Sequence, residues 1–278
     1  MTGIRTVAVA GLGLIGGSLA RDLGARGVRV LGYDPDAGAL DGAVAEGVVS
    51  ALGPGLEGVE DADALVLAVH VCAAPALLEA AAPRLGRVRL ITDAGSTKAS
   101  IVAAAARLGL GAKFVGAHPL AGDHRSGWPA ARLGLFTGAT LYLTPSAESG
   151  AEAVALAREL WTVVGARTVE IGAEEHDRLL AWTSHLPQVV SSALAAVLAG
   201  RGITRGDLGG GGRDVTRLAG SSSAVWRDIL ADNAAAVSDA IAEMERQLAS
   251  VRAAIDAGDA DAISAWLTES AEWARDPC

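Results

Sequence analysis

Cysteine is nearly missing from this chain: Cys72 and Cys278 are the only two among 278 residues, and they make no framework spacing. A small fold stapled by disulfides is thereby excluded, and a reducing cytoplasm is the expected setting. Aromatic residues are few as well, at 4%, so the interior has to be packed from Ala, Val, Leu and Gly. Basic residues are outnumbered, 23 Lys and Arg against 32 Asp and Glu, which leaves a net charge of −9. Without a general positive field nucleic acid is not an expected partner, and any anionic ligand has to be held locally, by helix ends or single arginines. Long apolar runs are lacking too. Even residues 189–198 are interrupted by Ser191 and Ser192, so no membrane span is expected. The first ten residues turn from a short apolar run into glycines, without the pattern of a secretion signal. No metal-ligand spacing and no internal repeat is read, so no metal site is expected.

What is present is a hydrophobic content of 51%, ample for one large core or two modest ones. Over the first 170 residues, short β-branched runs alternate with Ala-rich helix formers, the pattern of an α/β fold with crossover helices. Strands are expected at 6–10, 28–33, 64–69, 89–92, 113–117, 140–144 and 168–171, with helices such as 18–25 and 100–108 between them. After Gly172 the strand signal ends. Helices with acidic or hydroxyl starts follow from Glu174, Ser222 and Asp259. The expected architecture is a Rossmann-type, doubly wound, mainly parallel sheet over residues 1–172 and an all-helical domain over 173–278. The glycines from Gly209 to Gly212 are expected to interrupt that helical half as a loop.

The first strand runs into Gly11-Leu12-Gly13-Leu14-Ile15-Gly16-Gly17-Ser18, which contains G-x-G-x-x-G between a strand and a helix. There Gly11 permits a tight turn, Gly13 lets backbone approach a pyrophosphate, and Gly16 lets helix and strand pack closely. Leu14 and Ile15 lie between these glycines, beside the place where a helix amino terminus attracts the phosphates. Asp34 closes the second strand about 20 residues on, where a carboxylate hydrogen-bonds ribose hydroxyls and repels a 2′-phosphate. It can instead cap the next helix. No Arg follows in Pro35-Asp36-Ala37, so NAD is favoured over NADP.

Two further strand ends carry polar residues, Asp93-Ala94-Gly95-Ser96-Thr97-Lys98 and His118-Pro119-Leu120-Ala121-Gly122. Ligands of doubly wound sheets bind at such carboxyl ends, so Ser96 and His118 are candidates to face a cofactor. Ser96 as a helix cap and His118 as an ordinary loop histidine are the plainer readings. In the helical half His185 lies within an apolar stretch, and Arg213 and Arg217 are four apart, sharing one face if that segment is helical. Two guanidinium groups on one face bind carboxylates, or simply pair with surface Asp or Glu.

Taken in order, GLGLIGGS from Gly11, DAGSTK from Asp93, GAHPLAG from Gly116 with Ser126-Gly127, Leu143-Thr144-Pro145, His176-Asp177-Arg178, SHLP from Ser184, RDVTR from Arg213 and Trp226-Arg227-Asp228 resemble the prephenate and arogenate (cyclohexadienyl) dehydrogenases. The likeness covers almost the whole chain and leaves no room for a fused mutase or regulatory domain. It implies NAD-dependent oxidative decarboxylation of prephenate in tyrosine biosynthesis, with arogenate as the alternative substrate. It further implies that His118 accepts the C4 hydroxyl proton, that Ser96 positions that hydroxyl, and that His185 lines the pocket. Arg217 would bind a substrate carboxylate, with Arg213 the weaker candidate. Relatives of this family pair through the helical domain, so a homodimer is expected. Gln188 stands where many relatives have a second histidine, which bears on the choice of substrate. His70 stands where many have proline, nearer the cofactor, and is given no catalytic role. Other two-domain dehydrogenases and a noncatalytic NAD-binding sensor are the rivals, but the former do not combine GAHPLAG, SHLP and RDVTR. The prediction from Asp34 is a clear preference for NAD over NADP in kcat/KM. Comparable efficiencies would show that this carboxylate points away from the ribose.

Overall fold

The computed structural model describes residues 3–122 and 125–275; Cys278 lies outside them. Eight strands, β1 (Thr6–Ala10), β2 (Arg29–Tyr33), β3 (Ser50–Ala51), β4 (Ala64–Leu67), β5 (Leu90–Asp93), β6 (Phe114–Pro119), β7 (Thr140–Pro145) and β8 (Arg167–Glu170), form one sheet in the order β3-β2-β1-β4-β5-β6-β7-β8. All pairs are parallel except β6 with β7. The helices α1 (Leu14–Gly24), α2 (Ala37–Ala45), α3 (Ala74–Ala81), α4 (Ala99–Arg107) and α5 (Ala151–Val163) cover it. The alternation within β1 shows why both faces need cover. Val7 and Val9 join one apolar cluster with Leu19, Leu23, Leu160 and Trp161. Ala8 and Ala10 join the other with Leu78, Ile101 and Phe114. A strand buried on both faces is the mark of a doubly wound sheet.

The remaining elements are helical: α6 (Ala173–Leu180), α7 (Leu186–Gly200), α8 (Gly210–Val215), α9 (Ser223–Asp232), α10 (Ala234–Ala257) and α11 (Ala260–Arg275). A single π-helical turn, Ala181–His185, joins α6 to α7. Among the described residues no helix is long and apolar enough to cross a membrane. The helical domain is tied to the sheet by one face of α9. Asp228 accepts hydrogen bonds from Cys72 Sγ at 3.0 Å and His70 Nδ1 at 3.2 Å, while Asp232 accepts from Thr97 Oγ1 at 2.6 Å and Ser100 Oγ at 2.8 Å. Those two aspartates are one helical turn apart. Between them they hold the loops after β4 and β5.

The structure departs from the sequence expectations at four places. The short β3 has too few residues to show a period in the sequence. The helix expected at 18–25 begins at Leu14, because Gly16 and Gly17 lie inside its first turns. A Cβ on Gly16 would sit 1.9 Å from the Gly11 carbonyl oxygen, and one on Gly17 would sit 2.7 Å from Ala131 Cβ, so close packing requires glycine there. Gly210, Gly211 and Gly212, expected in a loop, are the first residues of α8. This short helix ends at Val215, and Arg217 belongs to the following 3-10 turn, Arg217–Gly220. The single helix face proposed for Arg213 and Arg217 is therefore not formed.

Gly16→Ala should lower the urea unfolding free energy by about 1–3 kcal/mol through overpacking. Gly13→Ala, whose Cβ would meet nothing within 4 Å, is the control. Equal losses in the two variants would mean that the contact against Gly11 relaxes freely.

Candidate active site

The glycine turn is shaped by what its neighbours leave open. Gly11 has φ +95°, and a Cβ there would lie 2.4 Å from the Ala68 carbonyl oxygen. Gly13, by contrast, faces empty space and is the N-cap of α1 with no side chain capping it. No acidic residue occupies the first turn of α1, so its free N–H groups and positive end are available to phosphates. Leu14 and Ile15 flank this end, and a Cβ on Gly122 would meet their side chains at 3.6 and 3.8 Å. Asp34 Oδ2 accepts the Leu12 N–H at 2.6 Å, while its Oδ1 accepts the Asp36 N–H at 2.8 Å. Asp36, not Asp34, caps α2. Asp34 thus fastens the end of β2 to the glycine turn, with lone pairs left for ribose hydroxyls. These residues fit a dinucleotide.

Two and three strands from β1, the ends of β5 and β6 build a buried polar cluster. Lys98 is fully buried and ion-paired with Asp93. Gly116 makes room for it: a Cβ there would meet Lys98 Cδ at 3.3 Å and Thr144 Oγ1 at 2.3 Å. Burial pulls the Lys98 pKa down against the pull of Asp93, Asp177 and Asp232. Asp93 also accepts the N–H of Ala117 at 3.0 Å and of Gly95 at 2.9 Å, which fixes the backbone beside His118 and Ser96. His118 is 9% exposed, and its Nδ1 lies 2.9 Å from Nε2 of His176. Burial first, then His176, Lys98 and His185, push the His118 pKa well below the ordinary histidine value. Ser96 is half-buried in the loop beside this cluster. It does not cap α4. That service comes from Asp177 of α6, whose two oxygens accept the N–H groups of Lys98 and Ala99, each at 2.8 Å.

From the helical side, His185 is 1% exposed and packs edge-to-face on Trp226 at 5.9 Å. The Asn233 amide nitrogen donates both to the Asp177 carbonyl at 2.7 Å and to His185 Nδ1 at 3.1 Å. Since the carbonyl only accepts, the nitrogen must face it, and neutral His185 carries its proton on Nε2. Burial lowers the His185 pKa to about 4, so at neutral pH it is an uncharged donor. Arg213 and Arg217 are exposed, and among the described residues neither forms an ion pair with Asp or Glu. The reading of them as surface partners of carboxylates is not what the fold shows. Gln188 is buried, and its amide nitrogen donates to the Leu218 carbonyl at 2.9 Å and Ser192 Oγ at 3.1 Å. It therefore holds the turn that carries Arg217, while its own Oε1 is buried without a partner. His70 is tied to Asp228, outside the cluster.

The sequence reading gave no role to His176, Asp177, Lys98 or Asn233. His176 and Asp177 stood in a quoted motif, but nothing in their spacing places them behind His118, 58 residues away. Lys98 closes a motif whose other members read as a loop. An isolated Asn between two helices carries no signal at all.

Residues 19–170 match the family model described as prephenate dehydrogenase, nucleotide-binding domain, and residues 172–269 match prephenate dehydrogenase, dimerization domain. The prephenate dehydrogenase of Bacillus subtilis (strain 168) is 35% identical over 265 residues, covering 92% of this chain and 71% of that protein. The cyclohexadienyl dehydrogenase of Zymomonas mobilis is 34% identical, covering 97% and 95%. The crystal structure of prephenate dehydrogenase from Aquifex aeolicus in complex with hydroxyphenyl propionate and NAD+ is similar at a TM-score of 0.88, with 29% identity and 96% of each chain covered. Two models of one family that together span most of the chain, with relatives at these identities, establish that the chain belongs to the prephenate dehydrogenase family.

Proposed function

We propose that the protein is an NAD-dependent dehydrogenase that decarboxylates prephenate oxidatively to 4-hydroxyphenylpyruvate, with appreciable acceptance of arogenate. The observation that carries this reading is that the open glycine turn, Asp34, Ser96 and His118 lie at the carboxyl ends of β1, β2, β5 and β6, strands that all run in one direction. They therefore share one edge of the sheet. When bound, NAD supplies the acceptor for the hydride of C4. His118 Nε2 takes the proton of the C4 hydroxyl, and Ser96 orients that hydroxyl toward it. His185 lines the pocket opposite, offering its Nε2–H, and Arg217 binds a substrate carboxylate, with Arg213 as a second cation nearby. Loss of CO2 makes the ring aromatic, so the protein need only orient the reactants and handle one proton.

The division of labour falls at Gly172: residues 1–172 hold the cofactor, and residues 173–278 supply the substrate pocket and a dimer interface. A homodimer is supported by the apolar residues that α10 and α11 leave exposed. Leu248, Ile255, Leu267 and Trp273 are each more than half exposed, and no residue of α11 is buried. A surface of that kind calls for a partner. The unpaired Cys72 suits a reducing cytoplasm. Light scattering should report a dimer at micromolar concentration, and a monomer throughout the range would remove this part of the reading.

Arogenate differs from prephenate in carrying an ammonium on its side chain. Gln188, one turn from His185, is neutral where a second histidine would be protonatable, which supports acceptance of both. NADH absorbance should rise with either substrate, prephenate giving the higher kcat/KM. Gln188→His should shift the ratio toward prephenate, each tenfold step being about 1.4 kcal/mol of discrimination. No NADH with either substrate would favour a noncatalytic NAD-binding protein, and an unchanged ratio would free Gln188 of any part in the choice.

A further inference from the structure

His118 is placed awkwardly for a residue that has to accept a proton. It is buried beside the Lys98 ammonium, and its surroundings disfavour an imidazolium. Behind it, however, runs a single file of hydrogen bonds: His118 Nδ1 to His176 Nε2 at 2.9 Å, and His176 Nδ1 to Asp177 Oδ1 at 2.8 Å. His176 is fully buried, and its ring is held edge-to-face by His118 at 5.1 Å and by Tyr142 at 5.5 Å. Asp177 is pinned by the N–H of Lys98, which shares Oδ1 with His176, and by the N–H of Ala99 on Oδ2. Burial opposes its charge, but the bonds from His176, Ala99 and Lys98 outweigh this and hold its pKa below the usual carboxylate value.

The direction of each proton follows from chemistry. An ionised carboxylate only accepts, so His176 Nδ1 carries the hydrogen. Neutral His176 then has a bare Nε2, so the hydrogen between the rings belongs to His118 Nδ1. His118 Nε2 is left with its lone pair, the form a base requires.

We infer that His176 and Asp177 are positioning residues that set the tautomer of His118 and take over its charge, forming a two-histidine proton relay. The inference rests on the reading of His118 as the base. In the reaction the C4 hydroxyl proton passes to His118 Nε2, and the Nδ1 proton of His118 passes to His176 Nε2. The positive charge then sits against Asp177 instead of beside Lys98. As the hydride leaves C4, the electrons of the O–H bond form the C4 carbonyl. When CO2 leaves, its bonding electrons return through the ring to that oxygen, which takes the proton back down the same file. No net proton is released. The charged and titratable groups around the pair are Lys98 and Asp93 from the end of β5, Tyr142 from β7, His185 from the π turn and Asp232 from α9. None of them offers His118 Nδ1 a second acceptor.

The tautomers can be read directly from the nitrogen spectra of protein labelled with 15N-histidine, without cofactor or substrate. At neutral pH His118 and His176 should both carry hydrogen on Nδ1. Asp177 Oδ1 serves both the Lys98 N–H and the His176 ring while Oδ2 serves the Ala99 N–H, so Asp177→Asn, with one amide oxygen for three donors, removes the negative charge that receives the relayed proton. Turnover should fall roughly 10²- to 10⁴-fold, the range for lost general-base assistance, with KM and NAD binding by fluorescence nearly unchanged. His176→Gln leaves Asp177 in place over α4, guarding against a folding defect. It should lower kcat similarly and alter the acid limb of the kcat profile, because the coupled pair of histidines is reduced to His118 alone. Wild-type turnover and pH profile in both variants, or hydrogen on His118 Nε2 in the wild type, would overturn the relay. His118→Asn separates the two claims: if it too is active, the base has been misassigned, whereas an inactive His118→Asn beside active His176 and Asp177 variants removes the relay alone.

Discussion

The carboxylate of Asp177 joins the two halves of the molecule at the buried cluster, alongside the bonds that Asp228 and Asp232 make from α9. It comes from the first helix of the helical domain, yet it caps the amino terminus of α4, a helix of the sheet domain, through the N–H groups of Lys98 and Ala99. A buried carboxylate has to be saturated with donors, and leaving one unsatisfied costs more than an ordinary lost hydrogen bond. Two backbone N–H groups and one ring N–H meet that need here. They also settle where α6 lies on the sheet, and with it the π turn that delivers His185 and the carbonyl that orients Asn233. One requirement for charge satisfaction thereby sets both the docking of a domain and the position of a histidine.

The same edge shows how an acidic protein makes a local place for anions. The chain as a whole carries −9, but α1 opens with no acidic residue in its first turn, and among the described residues Arg213 in α8 and Arg217 just after it form no ion pair with Asp or Glu. The Lys98 charge is of another kind: it is cancelled by Asp93 inside the protein and serves the backbone of Gly95 and Ala117. Deep burial makes such a pair costly to separate. Its contribution is geometric, holding the ends of β5 and β6 at the separation that places Ser96 and His118 on the same rim.

Order is unevenly distributed between the halves. The sheet is sealed on both faces by two apolar clusters, whereas α10 buries only Val237 and Ala240 and α11 buries nothing. Along α9, Asp228 is drawn down to a pKa of about 2 by bonds from Cys72, Arg227 and His70, and with Asp232 it secures the loops that flank the cofactor cradle. The helical half is thus built on helices whose inner faces are tied to the sheet, while α10 and α11 keep Leu248, Ile255, Leu267 and Trp273 exposed.

Much of this was decided by local sequence. The strand ends at residues 10 and 33, the glycine turn and Asp34 follow from periodicity and from the conformations only glycine permits. His118 and Ser96 are legible because parallel strands put their carboxyl ends on one edge whatever lies between them. The limits of the sequence are equally physical. The helix reads from Ser18, and only the fold shows that Gly16 and Gly17, packed against Gly11 and Ala131, lie in its first turns. Gln188 reads as bearing on the choice of substrate, and only the fold shows that its amide nitrogen donates to a carbonyl 30 residues away. His176 and Asp177 read as an acidic helix start, and their partners lie 58 and more residues distant. Periodicity reports which face of an element is apolar. Which polar groups meet across two domains depends on how the faces dock, and that was decided by the tertiary structure, where every buried donor and acceptor has to find its counterpart.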